Sequence, residues 1–217
     1  MTRMVYVRHG ESNSTVARVI GGHRTCSGLS PLGVQQAERL RDRWRDHAEI
    51  MPDRILASHF TRAQQTAHIV AEGFDGIDVE VDDRFGEHDP GPDCDGMVFD
   101  EFIEKHGTGS WAEDPFGITF PGGETLAAFH YRIGTAIRSL TDTQPESTIL
   151  VVCHGGVIDA AVRLALRTPS TGGFLLSTLN TSITELHLTE PNKWVMRRYG
   201  DAAHLAGLPA STAAAAA

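Results

Sequence analysis

The chain has 217 residues, of which 41% are hydrophobic and 22% are charged, and it carries a formal net charge of -9 at pH 7. This length and composition are typical of a single globular domain. Nucleic acid and anionic lipid repel an acidic surface, so neither nucleic acid nor a membrane is expected as the main partner. No apolar run approaches the roughly 20 residues that span a bilayer, and we expect a cytoplasmic protein.

The first predicted element is a short apolar strand over residues 4–7, which runs directly into Arg8, His9 and Gly10. Ligands of open α/β sheets bind beyond the carboxyl ends of the strands, and a glycine lets the backbone approach a phosphate closely. The motif therefore predicts a reactive histidine. On its own it also fits a histidine that merely caps a strand, because short motifs occur by chance.

Two helices are predicted on either side of a second apolar strand at residues 55–57. An N-cap serine followed by proline predicts a helix over 31–46. The next helix is expected to begin near residue 61 and to end at a glycine, over 61–73. Its first turn places Arg62 at the same edge of the sheet as His9.

Residues 86–123 differ from the rest because they are rich in Asp, Glu, Gly and Pro and show no sustained periodicity. Loops longer than about 12 to 15 residues without secondary structure are usually functional lids or linkers. We expect a packed lid over the active site, with a short helix over 98–105. Its large apolar residues are Phe99, Phe102, Ile103, Trp111 and Phe116. We expect its aromatic residues either to pack within the lid or to floor a pocket for a sugar or an apolar group.

A second junction between a strand and a histidine follows a predicted amphipathic helix over 124–140. The apolar strand over 149–153 ends in His154 and Gly155, and a helix is predicted over 157–166. Two such junctions in one chain indicate that both histidines face one pocket. The guanidinium groups of the two arginines already named match a phosphate bidentately, so the pocket is predicted to bind a phosphoryl group.

The last predicted elements are two strands, over 182–188 and 194–199, joined by a turn at 190–193 into an antiparallel hairpin. The predicted fold is a three-layer α/β sandwich with a mostly parallel central sheet, an antiparallel edge strand and helices on both faces. It forms one domain over 1–205. The low-complexity residues 206–217 are expected to be a disordered tail.

Several motifs stand in an ordered series along the chain. They are Arg8-His9-Gly10-Glu11-Ser12, Leu29-Ser30, Arg62-Ala63 with Gln65-Thr66-Ala67, Pro121-Gly122-Gly123-Glu124-Thr125, and Val152-Cys153-His154-Gly155-Gly156. Together they resemble the histidine phosphatase superfamily, the phosphoglycerate-mutase-like enzymes, and favour its phosphatase branch. The resemblance implies a nucleophilic His9 that forms a phosphohistidine, and it implies no metal and no cofactor. Relatives are often monomers or homodimers, so either state is expected here.

The resemblance also assigns roles around that nucleophile. It implies that Arg8, Arg62 and His154 hold the phosphoryl oxygens and that Glu87 donates a proton. Glu87 lies in an acidic segment, and neighbouring negative charge raises the pKa of a carboxyl group, which suits a proton donor. The aspartates expected to crowd it are Asp82, Asp83, Asp89 and Asp93. Asp89 is the alternative proton donor.

Further phosphate contacts are expected near the first motif and beside the second histidine. Many relatives place an asparagine seven residues after the motif arginine, where this chain has Thr15, so either Asn13 or Thr15 is expected to contact phosphate. Gly22 is a candidate to donate its backbone N–H. Gly155 completes the expected phosphate-binding set.

The expected function is metal-independent hydrolysis of a small phosphorylated metabolite by a histidine acid phosphatase-type phosphomonoesterase. A cofactor-dependent phosphoglycerate-type mutase and a non-catalytic regulator that binds phosphorylated ligands remain alternatives. A mutase must hold a second phosphate, which an acidic lid would repel. Cys153 is interpreted as a buried apolar residue and not a nucleophile, because no Cys-x5-Arg pattern follows it. Asn180 and Ser182 are interpreted as turn residues.

Overall fold

A six-stranded mixed sheet forms the centre of the computed structural model, which describes residues 1–107, 114–117, 120–171, 174 and 176–211. In chain order its strands are β1 (Thr2–Arg8), β2 (Arg54–Ala57), β3 (Val79–Val81), β4 (Thr148–Cys153), β5 (Ile183–Glu190) and β6 (Lys193–Asp201). Their order across the sheet is β3-β2-β4-β1-β5-β6. The first four run parallel, whereas β5 is antiparallel to β1 and forms a hairpin with β6.

The α-helices of the described residues lie between these strands along the chain. They are α1 (Asn13–Val16), α2 (Pro31–His47), α3 (Thr61–Ala71), α4 (Gly91–Cys94), α5 (Phe99–His106), α6 (Leu126–Thr143) and α7 (Gly155–Leu166). The five helices predicted from the sequence are confirmed, each to within three residues at its ends. Within the described part of the chain, no helix is long and apolar enough to cross a bilayer.

Alternate residues of the central strands supply two separate hydrophobic cores. Met4 and Tyr6 of β1 pack with α6 and α7, whereas Val5 and Val7 pack with α2 and α3. Successive residues of a strand point to opposite faces of the sheet, so one strand can serve both cores. The three-layer α/β sandwich is therefore confirmed.

Two details of the sheet differ from the prediction. The sequence does not predict β3, because its three residues are largely exposed and form no apolar run. The antiparallel strand is β5, which lies one position inside the edge strand β6. Both strands of the hairpin add to the same side of β1, so the hairpin as a whole forms the edge.

Only part of the segment expected to form a lid lies within the described residues. Its helix α5 is amphipathic and buries Phe102. Phe99 and Phe116 are 47% and 78% exposed, so the expectation that they pack inside the lid is wrong. Trp111 lies outside the described residues. The small core that α5 joins contains Cys94, Phe102 and Phe120.

The segment after residue 205 is not wholly an exposed tail. Ser211 is 7% exposed, and its hydroxyl donates to Glu11 Oε2 at 2.9 Å and lies 2.8 Å from Asn180 Oδ1. The expected tail is therefore wrong at Ser211, because a low-complexity sequence does not reveal one buried hydroxyl. Residues 212–217 lie outside the described residues.

Two glycines hold the loop after β1 directly against helix α2. A Cβ added at Gly33 would lie 2.0 Å from the carbonyl oxygen of Glu11, and one added at Gly10 would lie 2.4 Å from the carbonyl oxygen of Gly33. Glu11 also donates its backbone N–H to Gln36 Oε1 at 2.8 Å. Because His9 lies between β1 and this loop, the close approach helps to set its position.

We expect Gly33→Ala to lower the free energy of unfolding by about 1–3 kcal/mol, because the added methyl group overpacks a backbone contact. Gly134→Ala is the matched control, since it also lies in a helix and its added Cβ would meet nothing closer than Leu164 Cδ1 at 3.9 Å. The control should raise stability by about 0.5–1 kcal/mol. Urea denaturation measures both values, and equal effects would contradict the close approach.

Candidate active site

Two histidines emerge side by side where two parallel strands end. Arg8, the last residue of β1, is in register with Cys153, the last residue of β4, so His9 and His154 follow at the same sheet edge. The backbone N–H of His9 donates to the carbonyl oxygen of Cys153 at 2.8 Å. The ring centroids of the histidines lie 5.0 Å apart. The structure therefore brings the two histidines together at one edge of the sheet.

The hydrogen bonds of His9 assign its tautomer. Nδ1 lies 2.7 Å from the carbonyl oxygen of Gly10, which only accepts, so Nδ1 carries the proton. Nε2 accepts from Nε of Arg62 at 3.0 Å. The Nε2 atom therefore has a lone pair and no proton, as a nucleophile requires.

The partners of His154 assign the opposite tautomer. Nδ1 lies 3.3 Å from Nη2 of Arg62, which only donates, so Nδ1 accepts this bond. Nε2 then carries the proton and donates to Ser58 Oγ at 2.8 Å. Ser58 was given no role from the sequence, although it directly follows the apolar strand over 55–57 at the same sheet edge.

Arg62 is the cation that joins the two rings. It comes from the first turn of α3, is 5% exposed, and donates through Nη1 to the carbonyl oxygen of Gly21 at 2.9 Å. Its guanidinium carbon lies 4.5 Å from the ring centroid of Phe60 in a cation–π contact. These contacts hold a buried positive charge between two imidazoles.

Both histidines are neutral at neutral pH. Burial lowers the pKa of His9 well below its ordinary value, and the charges of Arg62 and Arg8 lower it further. Burial likewise lowers the pKa of His154, with Arg62 and His9 as further causes. A protonated imidazole beside a buried guanidinium would add a second unscreened positive charge. His9 therefore keeps its lone pair at neutral pH.

Arg8 supplies a second guanidinium at the same edge. Its Nη1 donates to the carbonyl oxygen of Thr178, and its Nε finds no acceptor among the described residues. A Cβ added at Gly155 would lie 3.7 Å from that Nε, so Gly155 lies beside Arg8. Burial lowers the pKa of Arg8, while the Glu87 carboxylate opposes this effect. The Nε–H is a donor available to an anion.

Glu87 lies against the start of α7, one residue beyond Gly155. Its carboxylate accepts from the backbone N–H of Gly156 at 3.0 Å and from that of His88 at 3.0 Å. A Cβ added at Gly156 would lie 2.3 Å from Glu87 Oε1, so only glycine permits this approach. Glu87 is thus placed on the same helix end that begins after His154.

Two of the aspartates expected to crowd Glu87 have basic partners in the structure. Asp82 forms an ion pair with Arg84 at 2.6 Å, and Asp89 lies 3.5 Å from Arg24. These two carboxylates are therefore paired with arginines that the sequence interpretation did not assign to them. Asp89 also accepts from the N–H of Gly91 at 2.9 Å, which leaves Glu87 as the carboxylate that contacts α7.

Three of the expected phosphate-binding residues have other partners here. Asn13 is exposed and donates through Nδ2 to the carbonyl oxygen of Ser27 at 3.2 Å. Thr15 contacts the Ser12 hydroxyl at 3.0 Å, and the Gly22 N–H donates to the carbonyl oxygen of Ile20 at 3.3 Å. Gly21, not Gly22, touches Arg62. The spacing of the sequence motifs does not decide which of these two adjacent glycines contacts the site.

Asn180 has a positioning role that the sequence interpretation missed. It is 2% exposed, and its Nδ2 donates to the carbonyl oxygen of His9 at 2.8 Å. Ser211 lies 2.8 Å from the Oδ1 of the same side chain. The end of the described chain is therefore linked to the backbone of His9 through one amide.

Cys153 is fully buried, and burial raises the pKa of its thiol well above the ordinary value, with the Glu87 charge as a second cause. The thiol therefore stays protonated at neutral pH. Because a thiolate is the reactive form of cysteine, this supports the interpretation of Cys153 as a packing residue.

We expect Ser211→Ala to lower the free energy of unfolding by about 1–3 kcal/mol, because the buried hydroxyl that contacts Glu11 and Asn180 is lost. The exposed Ser177 offers a matched control as Ser177→Ala, which should change stability by less than about 0.5 kcal/mol. Thermal or urea unfolding gives both values. Equal stability of the two variants would show that the Ser211 contacts contribute nothing.

Comparisons with known proteins agree with this geometry. Residues 4–202 match the family model of the histidine phosphatase superfamily (branch 1). The chain is 31% identical over 205 residues to phosphoglycerate mutase-like protein 4 of Arabidopsis thaliana, covering 93% of this chain and 86% of the relative. It is 28% identical over 212 residues to the metal-independent phosphoserine phosphatase of the same plant, covering 96% and 85%.

A solved structure shows the same fold. Bacillus stearothermophilus YhfR superposes with a TM-score of 0.82 at 25% sequence identity, covering 94% of this chain and all of the other. The family model spans most of the chain and includes both strand-end histidines. This protein therefore belongs to the histidine phosphatase superfamily (branch 1).

Proposed function

We propose that the protein is a metal-independent phosphomonoesterase that works through a phosphohistidine at His9. The observation that supports this most directly is the unprotonated Nε2 of His9, buried and held by Arg62 at 3.0 Å. A neutral nucleophile next to two guanidinium groups suits attack on a dianionic phosphoryl group. One relative is named a metal-independent phosphoserine phosphatase, which supports the same chemistry.

The first step is transfer of the phosphoryl group to His9. In this structure Nε of Arg62 donates a hydrogen bond to Nε2 of His9. The incoming phosphoryl oxygens accept that hydrogen bond instead. The freed lone pair then forms the N–P bond as the bond from phosphorus to the ester oxygen breaks. Arg8 and Arg62 stabilise the negative charge on the remaining phosphoryl oxygens, so catalysis consists mainly of positioning and electrostatics.

His154 binds the phosphoryl group only after a change of proton state. Its Nδ1 accepts from Arg62 here, so it has no proton to offer an oxygen. A bound dianion favours the protonated imidazole, because opposite charge raises the pKa of a histidine. His154 then donates through Nδ1 to phosphate and keeps its bond through Nε2 to Ser58.

Glu87 is the proposed acid and base. In its protonated form it gives a proton to the leaving oxygen, and it later takes a proton from the water that attacks the phosphohistidine. The N–H groups of Gly156 and His88 hold its carboxylate beside the site. Asp89 is less suitable because Arg24 and Gly91 engage it.

Hydrolysis is proposed over transfer between two phosphate esters. A mutase has to hold a second phosphate, which needs cations in addition to those at the first. Three further arginines near the site are already in ion pairs, and they are Arg24 with Asp89, Arg132 with Glu124 and Arg163 with Asp159. Several relatives have phosphoglycerate mutase names, so the choice between hydrolysis and transfer rests on these ion pairs.

We expect His9→Ala to abolish the phosphoenzyme and to lower turnover at least about 10³-fold, because the nucleophile is lost. His68→Ala, at an exposed histidine of α3, is the matched control and should retain both. A radiolabelled phosphate ester and an alkaline quench measure the phosphoenzyme. Phosphate release by the wild-type protein should be unchanged by a chelator, and its loss would refute the metal-independent mechanism.

We expect Glu87→Gln to slow alkyl phosphate hydrolysis by about 10²–10⁴-fold, because an alkoxide leaves poorly without a proton. A nitrophenyl phosphate, whose leaving group needs no proton, should slow much less. Asp89→Asn is the matched control and should slow neither ester appreciably. Steady-state rates on the two esters measure the difference, and equal slowing by Glu87→Gln would remove Glu87 as the acid.

A further inference from the structure

A cavity of about 490 Å³ adjoins the proposed phosphoryl site. Glu87 and Gly155 line it, and so does Gly21, whose carbonyl oxygen holds Arg62. This volume lies within the roughly 300–1,000 Å³ of typical ligand sites. An ester whose phosphorus faces His9 would therefore place its organic part here.

The wall of this cavity is mainly apolar. Its apolar side chains come from the loop after α1, from the segment before α6, from α6 itself and from the segment after α7. They include Ile20, Phe120, Leu126, Phe129, Phe174 and Leu176. Transfer of an apolar group from water to such a wall is favourable by about 25 cal/mol per Å² of buried surface.

The charged side chains that line the cavity offer no partner to an anion. Among the described residues that line the cavity, Arg163 is the one lysine or arginine, and it is 7% exposed. Its Nε donates to Asp159 at 2.7 Å, and its two other nitrogens donate to the carbonyl oxygens of Pro169 and Phe174 at 3.0 and 2.5 Å. The remaining charges, on Glu87 and Asp159, are negative.

The histidines of the lining do not supply the missing cation. Burial lowers the pKa of His130 and also that of His88, so both rings are neutral at neutral pH. A carboxylate or second phosphate placed in this cavity would lose its water and gain no opposite charge, which is costly. Neutral hydroxyl groups at Ser170 and Thr171 offer hydrogen bonds to an uncharged polar atom.

We infer that the substrates are monoesters of an uncharged, largely apolar alcohol or phenol, in which the phosphate is the sole anionic group. This inference rests on the proposed phosphatase function. It separates the protein from enzymes whose substrates carry a carboxylate next to the phosphate ester. Specificity then arises from the apolar wall and from the paired state of Arg163.

Two esters with the same aromatic ring test the inference on the wild-type protein. They are 4-propylphenyl phosphate and 4-(2-carboxyethyl)phenyl phosphate, in which two methylene groups insulate the ring from the carboxylate and keep the leaving groups similar. We expect kcat/KM to be at least about tenfold higher for the propyl ester. Equal values, or a preference for the carboxylate, would overturn the inference while the phosphatase function stood.

Failure of the phosphatase function itself has a different signature. In that case neither ester releases phosphate and no phosphoenzyme forms from either. Turnover of both esters without a preference removes only the inference about the leaving group. The two failures are therefore distinguishable in one set of measurements.

A variant that adds a cation to the cavity tests the electrostatic cause. Leu126 is partly buried at the start of α6 and lines the cavity. We expect Leu126→Arg to reduce the preference for the propyl ester about tenfold or to reverse it. The control Tyr131→Arg adds the same charge on the same helix at a 78% exposed position outside the lining and should leave the ratio unchanged.

The ratio of the two kcat/KM values is insensitive to how much of a variant is folded, because both esters report on the same active fraction. A ratio that stays at the wild-type value in Leu126→Arg, with turnover retained, would contradict the electrostatic cause. If this variant does not fold, the comparison of the two esters on the wild-type protein still decides the inference.

Discussion

The buried guanidinium of Arg62, placed between the imidazoles of His9 and His154, is the interaction on which the site depends. A buried charge normally needs an opposite charge as a partner. The described partners of this guanidinium are neutral: two ring nitrogens, the Gly21 carbonyl oxygen and the Cys26 sulfur. The site therefore has excess positive charge before any ligand arrives. Burial, together with that charge, keeps both histidines neutral. The same charge favours binding of a dianion.

Contacts of the surrounding backbone and side chains fix this arrangement. The parallel pairing of β1 with β4 sets the two histidines side by side, and Gly10 of the β1 loop and Gly33 of α2 let that loop pack directly on α2. Asn180 holds the carbonyl oxygen of His9 and is itself held by Ser211. Precise placement of a nucleophile depends on such supporting contacts, because small displacements slow in-line attack.

The two sides of the site differ in chemical character. The phosphoryl side presents guanidinium and imidazole nitrogens, whereas the neighbouring cavity is walled by aromatic and aliphatic side chains with paired or negative charges. Glu87 lines this cavity and accepts from the N–H of Gly156 in the helix that begins after His154. The phosphoryl side suits the reaction common to the superfamily, and the apolar side suits selection among substrates.

The sequence alone determined the α/β fold, the five longer helices and the group of Arg8, His9, Arg62 and His154, because residues at strand ends and helix starts follow from local patterns. Only the tertiary structure decided the tautomers, the partners of the acidic residues, the role of Gly21 instead of Gly22, the burial of Ser211 and the apolar cavity. Each of these depends on side chains distant in sequence, such as the Asn180 that reaches His9 across 171 positions. Local periodicity contains no information about such contacts, since packing and hydrogen bonding create them only when the chain folds.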